Sequence, residues 1–453
     1  MPPQPLKPPR ARRRRQISAV VRVIASLLVL VLIGTTLLWV SGLGTPQMLT
    51  FQEALFTAVS ALAVTGLSII TPGTDLTFFG QVVLMSLIQI GGIGFMVLAV
   101  GVLRVLRRHV SLLDRQAMRD SLGLSEKMEF RTVLKRVLVS MLVVESVGAV
   151  LLWLHWRSML GDETAAFYGL FHAISSFCNA GFALFDPAQF PAGIPRDTLS
   201  LTILGGLIIL GGLGFPVLAD LVEWPTRRRF SLHARLTIYV SAILIVVGTI
   251  GFLLAENRPG GNLSGVPWHE QIVLSTFQSI AARTAGFSVM ANMQELMPAS
   301  QVLLIGLMFI GTAPASMGGG ITTGTLIVLA LAMWSYARRR RSVQVWKRTI
   351  PADAVRRAAA VLLVALLVVT SATWLILLER PAPLIDVVFE VVSAFSTTGL
   401  SLSYTTQLSN FGLIIIMLCM LWGRLGALTI VAALGEQRPP ERVEYPEERL
   451  LLG

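Results

Sequence analysis

The sequence predicts an all-α membrane protein built from four repeated units, each a span, a short re-entrant helix and a second span. Three observations predict it: an apolar composition, eight long apolar runs, and four glycine-centred stretches lying in register between them. Of 453 residues, 54% are hydrophobic and only 14% charged; the mean hydropathy is +0.72. A soluble globular chain carries roughly a quarter charged residues. The composition excludes a disordered chain, a disulfide scaffold and an ordinary cytosolic enzyme. Cys178 and Cys419 sit far apart in apolar sequence, which argues against a disulfide. The five histidines form no metal-ligand pattern, and no transition metal is expected.

The apolar runs cover residues 17–40, 78–106, 133–154, 199–221, 236–254, 302–334, 358–378 and 411–434. Each is long enough to cross a bilayer, which takes about 20 apolar residues. The first follows a basic N-terminus that resembles a signal peptide. It is longer than a typical signal core and no clear cleavage site follows, so it reads as a retained span. Within each pair of runs lies a shorter apolar segment, at 51–62, 164–177, 269–282 and 385–395. These are too short to span and suit re-entrant helices.

The short segments read FTAVSAL, FHAISSF, FQSIAA and FEVVSAF. Each leads into a glycine stretch: Ala63-Val64-Thr65-Gly66-Leu67, Cys178-Asn179-Ala180-Gly181-Phe182, Arg283-Thr284-Ala285-Gly286-Phe287 and Ser396-Thr397-Thr398-Gly399-Leu400. The glycines are 115, 105 and 113 residues apart. A single such stretch means little; four in order form an internal repeat. The repeats run over residues 17–110, 111–230, 231–345 and 346–435, between a basic N-terminus at 1–16 and a tail at 436–453.

Charge orients them. The net charge is +12, from 37 Lys and Arg against 25 Asp and Glu. Only Arg157, Arg196, Arg258, Arg283 and Arg380 lie in the segments holding the short helices, and Arg424 lies inside the last span. The other basic residues fall at the N-terminus, in the loops between repeats with the span ends that border them, and in the tail. That bias puts the glycine stretches outside and both termini in the cytoplasm. It also accounts for the charge without nucleic acid. The basic clusters at 227–229 and 338–341 read as topology signals, or as a docking face for a cytoplasmic partner or anionic membrane lipid.

Irregular backbone at membrane depth must be buried in protein or line a watery cavity. Four such strands around one axis would present rings of backbone carbonyls, which can replace the hydration shell of a monovalent cation. Glycine tolerates the backbone angles that aim successive carbonyls one way. A helix C-terminus pointing at the same place adds partial negative charge. The alternative is that each glycine merely ends a helix.

The second run of the third repeat is interrupted between Phe309 and Thr325 by glycines and Pro314. Such a composition does not hold a regular helix. It is no nucleotide-binding loop, because no Gly-Lys-Ser/Thr follows. A packing kink is one reading; a loop lining the pore is the other, favoured by Thr312, Ser316, Thr322 and Thr323 among the glycines. Related clusters (Gly91-Gly92-Ile93-Gly94, Gly211-Gly212-Leu213-Gly214, Gly423-Arg424-Leu425-Gly426) read mainly as packing glycines. Arg424 is different: a charge inside an apolar span costs about 3 kcal/mol and faces a cavity or a partner. A structural ion pair is its plain alternative.

The four helix-plus-glycine segments resemble the pore loops of the Trk/Ktr/HKT potassium transporters, over about residues 17–435, and within them most resemble a KtrB-type subunit with eight spans. That resemblance implies four M1–pore helix–M2 repeats around a single central pore in a bacterial inner membrane. It implies cation sites at Val64, Thr65, Gly66, Asn179, Ala180, Gly181, Thr284, Ala285, Gly286, Thr397, Thr398 and Gly399. It implies a gating loop at Gly311, Thr312, Ser316, Gly318, Gly319 and Gly320, with Arg424 beside it as an electrostatic barrier. The transported ion is then K+, with Na+ coupling open and no organic cofactor. The implied partners are a second copy, in a homodimer, and a ring of cytoplasmic nucleotide-binding subunits of the RCK type, KtrA-like. Serine in place of Gly66 goes with sodium selectivity in plant relatives; glycine in all four copies favours potassium.

Two further expectations concern neighbours of the stretches. Arg283 is expected to brace its strand, with Glu53, Glu270 or Glu390 as partner or as lures for cations. A thiol exposed at Cys178 would make the pore sensitive to thiol reagents. A secondary carrier would show two inverted repeats, and a membrane enzyme would need a titratable cluster at depth; neither is read here. A sodium-permeable relative or a secondary cation carrier is the alternative.

Overall fold

The computed structural model describes residues 19–40, 49–94, 130–340, 342–346 and 348–425. The expected basic N-terminus at 1–16, the tail at 436–453, Arg341 and Gly426 lie outside the described residues.

Helix α1 (Ala19–Trp39) leads to α2 (Phe51–Ala63), a single turn α3 (Pro72–Asp75) and α4 (Phe78–Ile93). Next come α5 (Phe130–Leu160), α6 (Asp162–Phe177), α7 (Thr198–Gly212) and α8 (Phe215–Arg227). Then follow α9 (Leu232–Glu256), α10 (Trp268–Ala281), α11 (Pro298–Ile310) and α12 (Thr323–Ala337). After a hairpin of β1 (Val343–Val345) and β2 (Arg348–Ile350) the chain continues through α13 (Ala352–Glu379), α14 (Leu384–Ser396) and α15 (Asn410–Leu425).

All four short segments are helices: α2, α6, α10 and α14. Local chemistry starts them. Thr50 and Glu53 form a capping box on α2, and Asp162 and Glu163 sit in the first turn of α6. Helices α2, α6 and α14 each pack between the helix before and the long helix after; α10 packs against α9 and α7. Among the described residues, α9, α13 and Leu138–Leu160 of α5 are long and apolar enough to cross a membrane singly. Their polarity is inverted relative to a soluble helix. On α9, Ile243, Ile250 and Leu254 are exposed while Thr237, Ser241 and Gly248 are buried. Lipid, as apolar as these side chains, is the solvent that suits them.

Three expectations need correction. The run at 199–221 is not one straight span: α7 stops at Gly212, and the following helix departs by 107°. Gly214 takes φ 81°, and Pro216 stands in the first turn of α8, where its missing N–H costs nothing. The run at 78–106 is helical to Ile93 and stops at Gly94, φ 82°; residues 95–106 lie outside the described residues. The fold is not purely helical, since Val343 pairs with Ile350 and Val345 with Arg348 in the small hairpin. The expected break in the third repeat is present, between α11 and α12.

Candidate functional site: a ring of glycine stretches and the loop against it

Each glycine stretch leaves the C-terminal end of its short helix through one left-handed residue: Val64, Asn179, Thr284 and Thr397 have φ of 56°, 59°, 69° and 53°. The next residue turns its N–H back onto the helix. Thr65, Ala180 and Thr398 donate to Ser60, Ser175 and Ser393 carbonyls at 2.8, 2.7 and 2.8 Å, and Ala285 to Ala281 at 2.9 Å. The glycine then takes positive φ again, at 87°, 72°, 74° and 93° for Gly66, Gly181, Gly286 and Gly399. Alternating left-handed residues aim the carbonyls away from the helix.

The four stretches meet one another. A Cβ on Gly66 would strike the Ala180 carbonyl oxygen, and one on Gly181 the Ala285 oxygen. One on Gly286 would strike the Thr398 oxygen, and one on Gly399 the Thr65 oxygen. The contacts close a ring in chain order, each glycine abutting the carbonyl of the following stretch. Within every five-residue stretch the glycine alone is half-exposed and the other four residues are buried. Among the described residues, none of the twelve carbonyls from Val64–Gly66, Asn179–Gly181, Thr284–Gly286 and Thr397–Gly399 accepts a protein hydrogen bond. Buried carbonyls are ordinarily paired. The structure therefore brings all twelve expected site residues together and leaves their acceptors open.

Serines that the motif comparison displayed but left unassigned hold this backbone. Ser60 Oγ accepts from Gly66 N at 3.1 Å, and Ser393 Oγ from Gly399 N at 3.0 Å. Ser175 Oγ donates to the Phe182 carbonyl at 2.8 Å, and Gln278 Oε1 accepts from Val289 N at 3.2 Å. His172 links Leu184 N, at 3.3 Å, to the Tyr168 carbonyl, at 2.7 Å. The shared serine in FTAVSAL, FHAISSF and FEVVSAF was the available signal.

The segment between α11 and α12 lies against this ring. Gly318 faces Thr284 Oγ1, and Gly319 faces Thr397 Oγ1 with the Ser396 carbonyl. Ala313 N donates to the Gly212 carbonyl at 3.0 Å and Met317 N to Gly211 at 3.3 Å; Thr312 and Ser316 hydroxyls are 2.8 Å apart. Arg424 donates to the carbonyls of Met317, Gly91 and Gly92. Among the described residues it has no carboxylate partner, and the guanidinium clamps backbone. The expected gate residues Gly311, Thr312, Ser316, Gly318, Gly319, Gly320 and Arg424 thus converge beside the ring.

Arg283 departs from expectation. Its guanidinium reaches Ser241 Oγ at 3.2 Å, the Ser241 carbonyl at 3.5 Å and the Gly311 carbonyl at 3.4 Å. It ties α9 to the first residue of the loop instead of bracing its own strand. None of the three proposed acids pairs with it: Glu53 caps α2, Glu270 is exposed beside His269, and buried Glu390 accepts from Ser401 and Thr405. Cys178 is fully buried, so the expectation of an exposed thiol fails.

Residues 7–442 match the family model of the TrkH cation transport proteins. The chain belongs to the TrkH family. TrkH-family relatives include the Ktr system potassium uptake protein B of Vibrio alginolyticus, 36% identical over 89% of each chain. The Ktr system potassium uptake protein D of Bacillus subtilis is 33% identical over 89% of this chain and 90% of that one. The potassium/sodium uptake protein NtpJ of Enterococcus hirae is 32% identical over 98% and 99%. The crystal structure of the potassium transporter TrkH from Vibrio parahaemolyticus has the same fold: TM-score 0.71 at 19% identity, covering 95% of this chain and 87% of that one. This family is one of ion transporters and not of enzymes, and the resemblance read from the four segments is borne out.

Proposed function

We propose that this chain is the ion-conducting subunit of a bacterial potassium uptake system in the inner membrane, with four M1–pore helix–M2 repeats around one pore. The observation that carries the reading is the closed ring of glycines and unpaired carbonyls. Such a ring exchanges hydration oxygens for fixed carbonyl oxygens around K+, at little reorganisation cost. The Thr65, Ala180, Ala285 and Thr398 carbonyls, each against the glycine of the preceding stretch, form one layer of it. Helices α2, α6, α10 and α14 point their C-terminal ends at the ring and favour a cation. Inward flow down the membrane potential needs no chemical step.

The loop at 311–322 is the gate, and Arg424 is its charged latch. Among the described residues Arg424 bonds only backbone carbonyls, so its charge remains to repel cations entering from below the ring. A homodimer and a cytoplasmic nucleotide-binding ring complete the system; the names of the Ktr relatives support a multi-subunit assembly. Sodium-permeable uptake is the second reading, favoured by the potassium/sodium transporter from Enterococcus hirae.

The deciding experiment is potassium-limited growth of an uptake-deficient bacterium expressing this chain with and without a candidate regulatory subunit. Growth restored by the pair supports the reading, and no rescue by correctly inserted protein sinks it. A further expectation concerns the latch. Arg424→Ala removes a positive charge and three backbone clamps, so Rb+ flux into proteoliposomes without a partner rises about tenfold, equivalent to about 1.4 kcal/mol of barrier. Flux equal to that of the unaltered protein at equal yield would return Arg424 to a structural role.

A further inference from the structure

Glu145 lies in the middle of the apolar part of α5, Leu138–Leu160, and is 3% exposed. An ionisable group at such depth is expensive and marks a functional position by default. Attention to basic residues passed it over in the sequence. Its surroundings are built from three elements. Gln89, on α4, donates Nε2–H to Glu145 Oε2 at 2.9 Å. The Cys178 thiol, at the end of α6, lies 3.7 Å from Glu145 Oε1 and 3.9 Å from Gln89 Oε1. Cys178 opens the second glycine stretch and immediately precedes Asn179, its left-handed residue.

The same turn of α4 faces the latch on its other side. A Cβ on Gly92 would strike Cys178 Sγ, and Arg424 donates to the carbonyls of Gly91 and Gly92. Gly91 in turn abuts the Leu62 carbonyl and Val64 Cγ2, at the start of the first stretch. The end of α4 is therefore wedged between the Arg424 guanidinium and the backs of two strands of the ring. Gln89, Glu145 and Cys178 fasten it to the second of these.

We propose that Glu145 is a specificity-positioning residue that, through Gln89 and Cys178, sets the second strand of the ring against the end of α4. This rests on the pore reading above. The chemistry requires an acid. A carboxylate accepts at both oxygens, so it takes the Gln89 N–H and the Cys178 S–H at once. An amide of the same size offers one acceptor and turns an N–H toward one of the two donors. Cys178 carries its hydrogen bond away from the pore, and the strand that follows is fixed at its first residue. Movement of Arg424 off the Gly91 and Gly92 carbonyls then reaches the ring through this cluster, linking gate to selectivity.

The test uses the full-length protein in proteoliposomes, with initial uptake rates over a range of K+ and with Na+ as competitor. Glu145→Gln raises the apparent KM for K+ about fivefold and weakens discrimination against Na+, while maximal flux changes less than about twofold, the size set by one lost buried charge-assisted hydrogen bond. Cys178→Ala, which leaves α5 intact, moves KM in the same direction. Cys178→Ser and Glu145→Asp, which keep donor and charge, bring it back to within about twofold. The double variant Glu145→Gln, Cys178→Ala is no worse than Glu145→Gln alone, because both act through one contact. If Glu145→Gln does not fold, Cys178→Ala and Cys178→Ser carry the comparison. Unaltered KM and Na+ competition in folded Glu145→Gln or Cys178→Ala overturns the proposal. Gly286→Ala, run in parallel, separates the failures: if it loses selectivity while the Glu145 cluster is silent, the pore reading stands and only this proposal falls.

Discussion

Serine at Gly286 or Gly66 lowers the apparent affinity for K+ by at least about tenfold, or about 1.4 kcal/mol, and raises the relative permeation of Na+. Two costs combine. Both glycines sit at positive φ, 74° and 87°, where a side chain costs roughly 1–2 kcal/mol. The larger cost is steric. At Gly286 the new Cβ lands on the Thr398 carbonyl oxygen, 3.2 Å from Gly399 Cα and 3.3 Å from Gly181 Cα. All three obstacles are backbone, so no rotamer change relieves them. The strands must separate, and the carbonyl layer widens for every ion that passes. Gly265 is the control: it also has positive φ, 80°, but open space around it, so Gly265→Ala carries only the conformational cost. K+ and Na+ flux into proteoliposomes reads the difference. Selectivity unchanged in both Gly66→Ser and Gly286→Ser, in correctly inserted protein, removes the ring as the selecting element.

The short helices were legible because their sequence is repeated: Phe51–Ala63 and Leu384–Ser396 share an apolar face, a serine six residues before the glycine, and a cap in the same place. The closure of the ring was not legible, since contacts such as Gly399 to Thr65 span the whole chain. The break between α7 and α8 was written in Gly214 and Pro216 and was passed over because Gly211-Gly212 resembled packing glycines elsewhere. Partners of charged groups failed most. Acids preceding three of the pore segments were offered to Arg283, whereas its guanidinium bonds Ser241 on α9 and the Gly311 carbonyl at the start of the loop. Cys178 still has the right-handed backbone of the α6 C-cap, and the partners that bury its thiol, Glu145 and Gln89, come from two other helices, so its burial was not legible from its neighbours.

Excising residues 313–320 yields a pore that conducts without its regulatory partner, with flux raised at least about tenfold as the barrier under the ring is removed. The ends of the loop already meet. Thr323 N donates to the Thr312 carbonyl at 2.8 Å, and Ile321 N to the Phe309 carbonyl at 3.2 Å. Rejoining the chain at that neck leaves α11 and α12 in place, and the deletion is expected to fold. What it removes is the material pressed against the ring: Gly318 beside Thr284 and Gly319 beside Thr397, held by Arg424 on the Met317 carbonyl. The loop's glycines lower the barrier to backbone change, as suits a gate that opens on a modest signal. The downstream helix α12 ends at exposed Arg338, Arg339 and Arg340, so force applied there runs along the helix to Thr323 and the neck. Rb+ flux with and without the partner measures the outcome. A folded, membrane-inserted deletion variant that still depends on the partner to the same degree shows that the gate lies elsewhere, and Arg424 alone becomes the remaining obstruction to test.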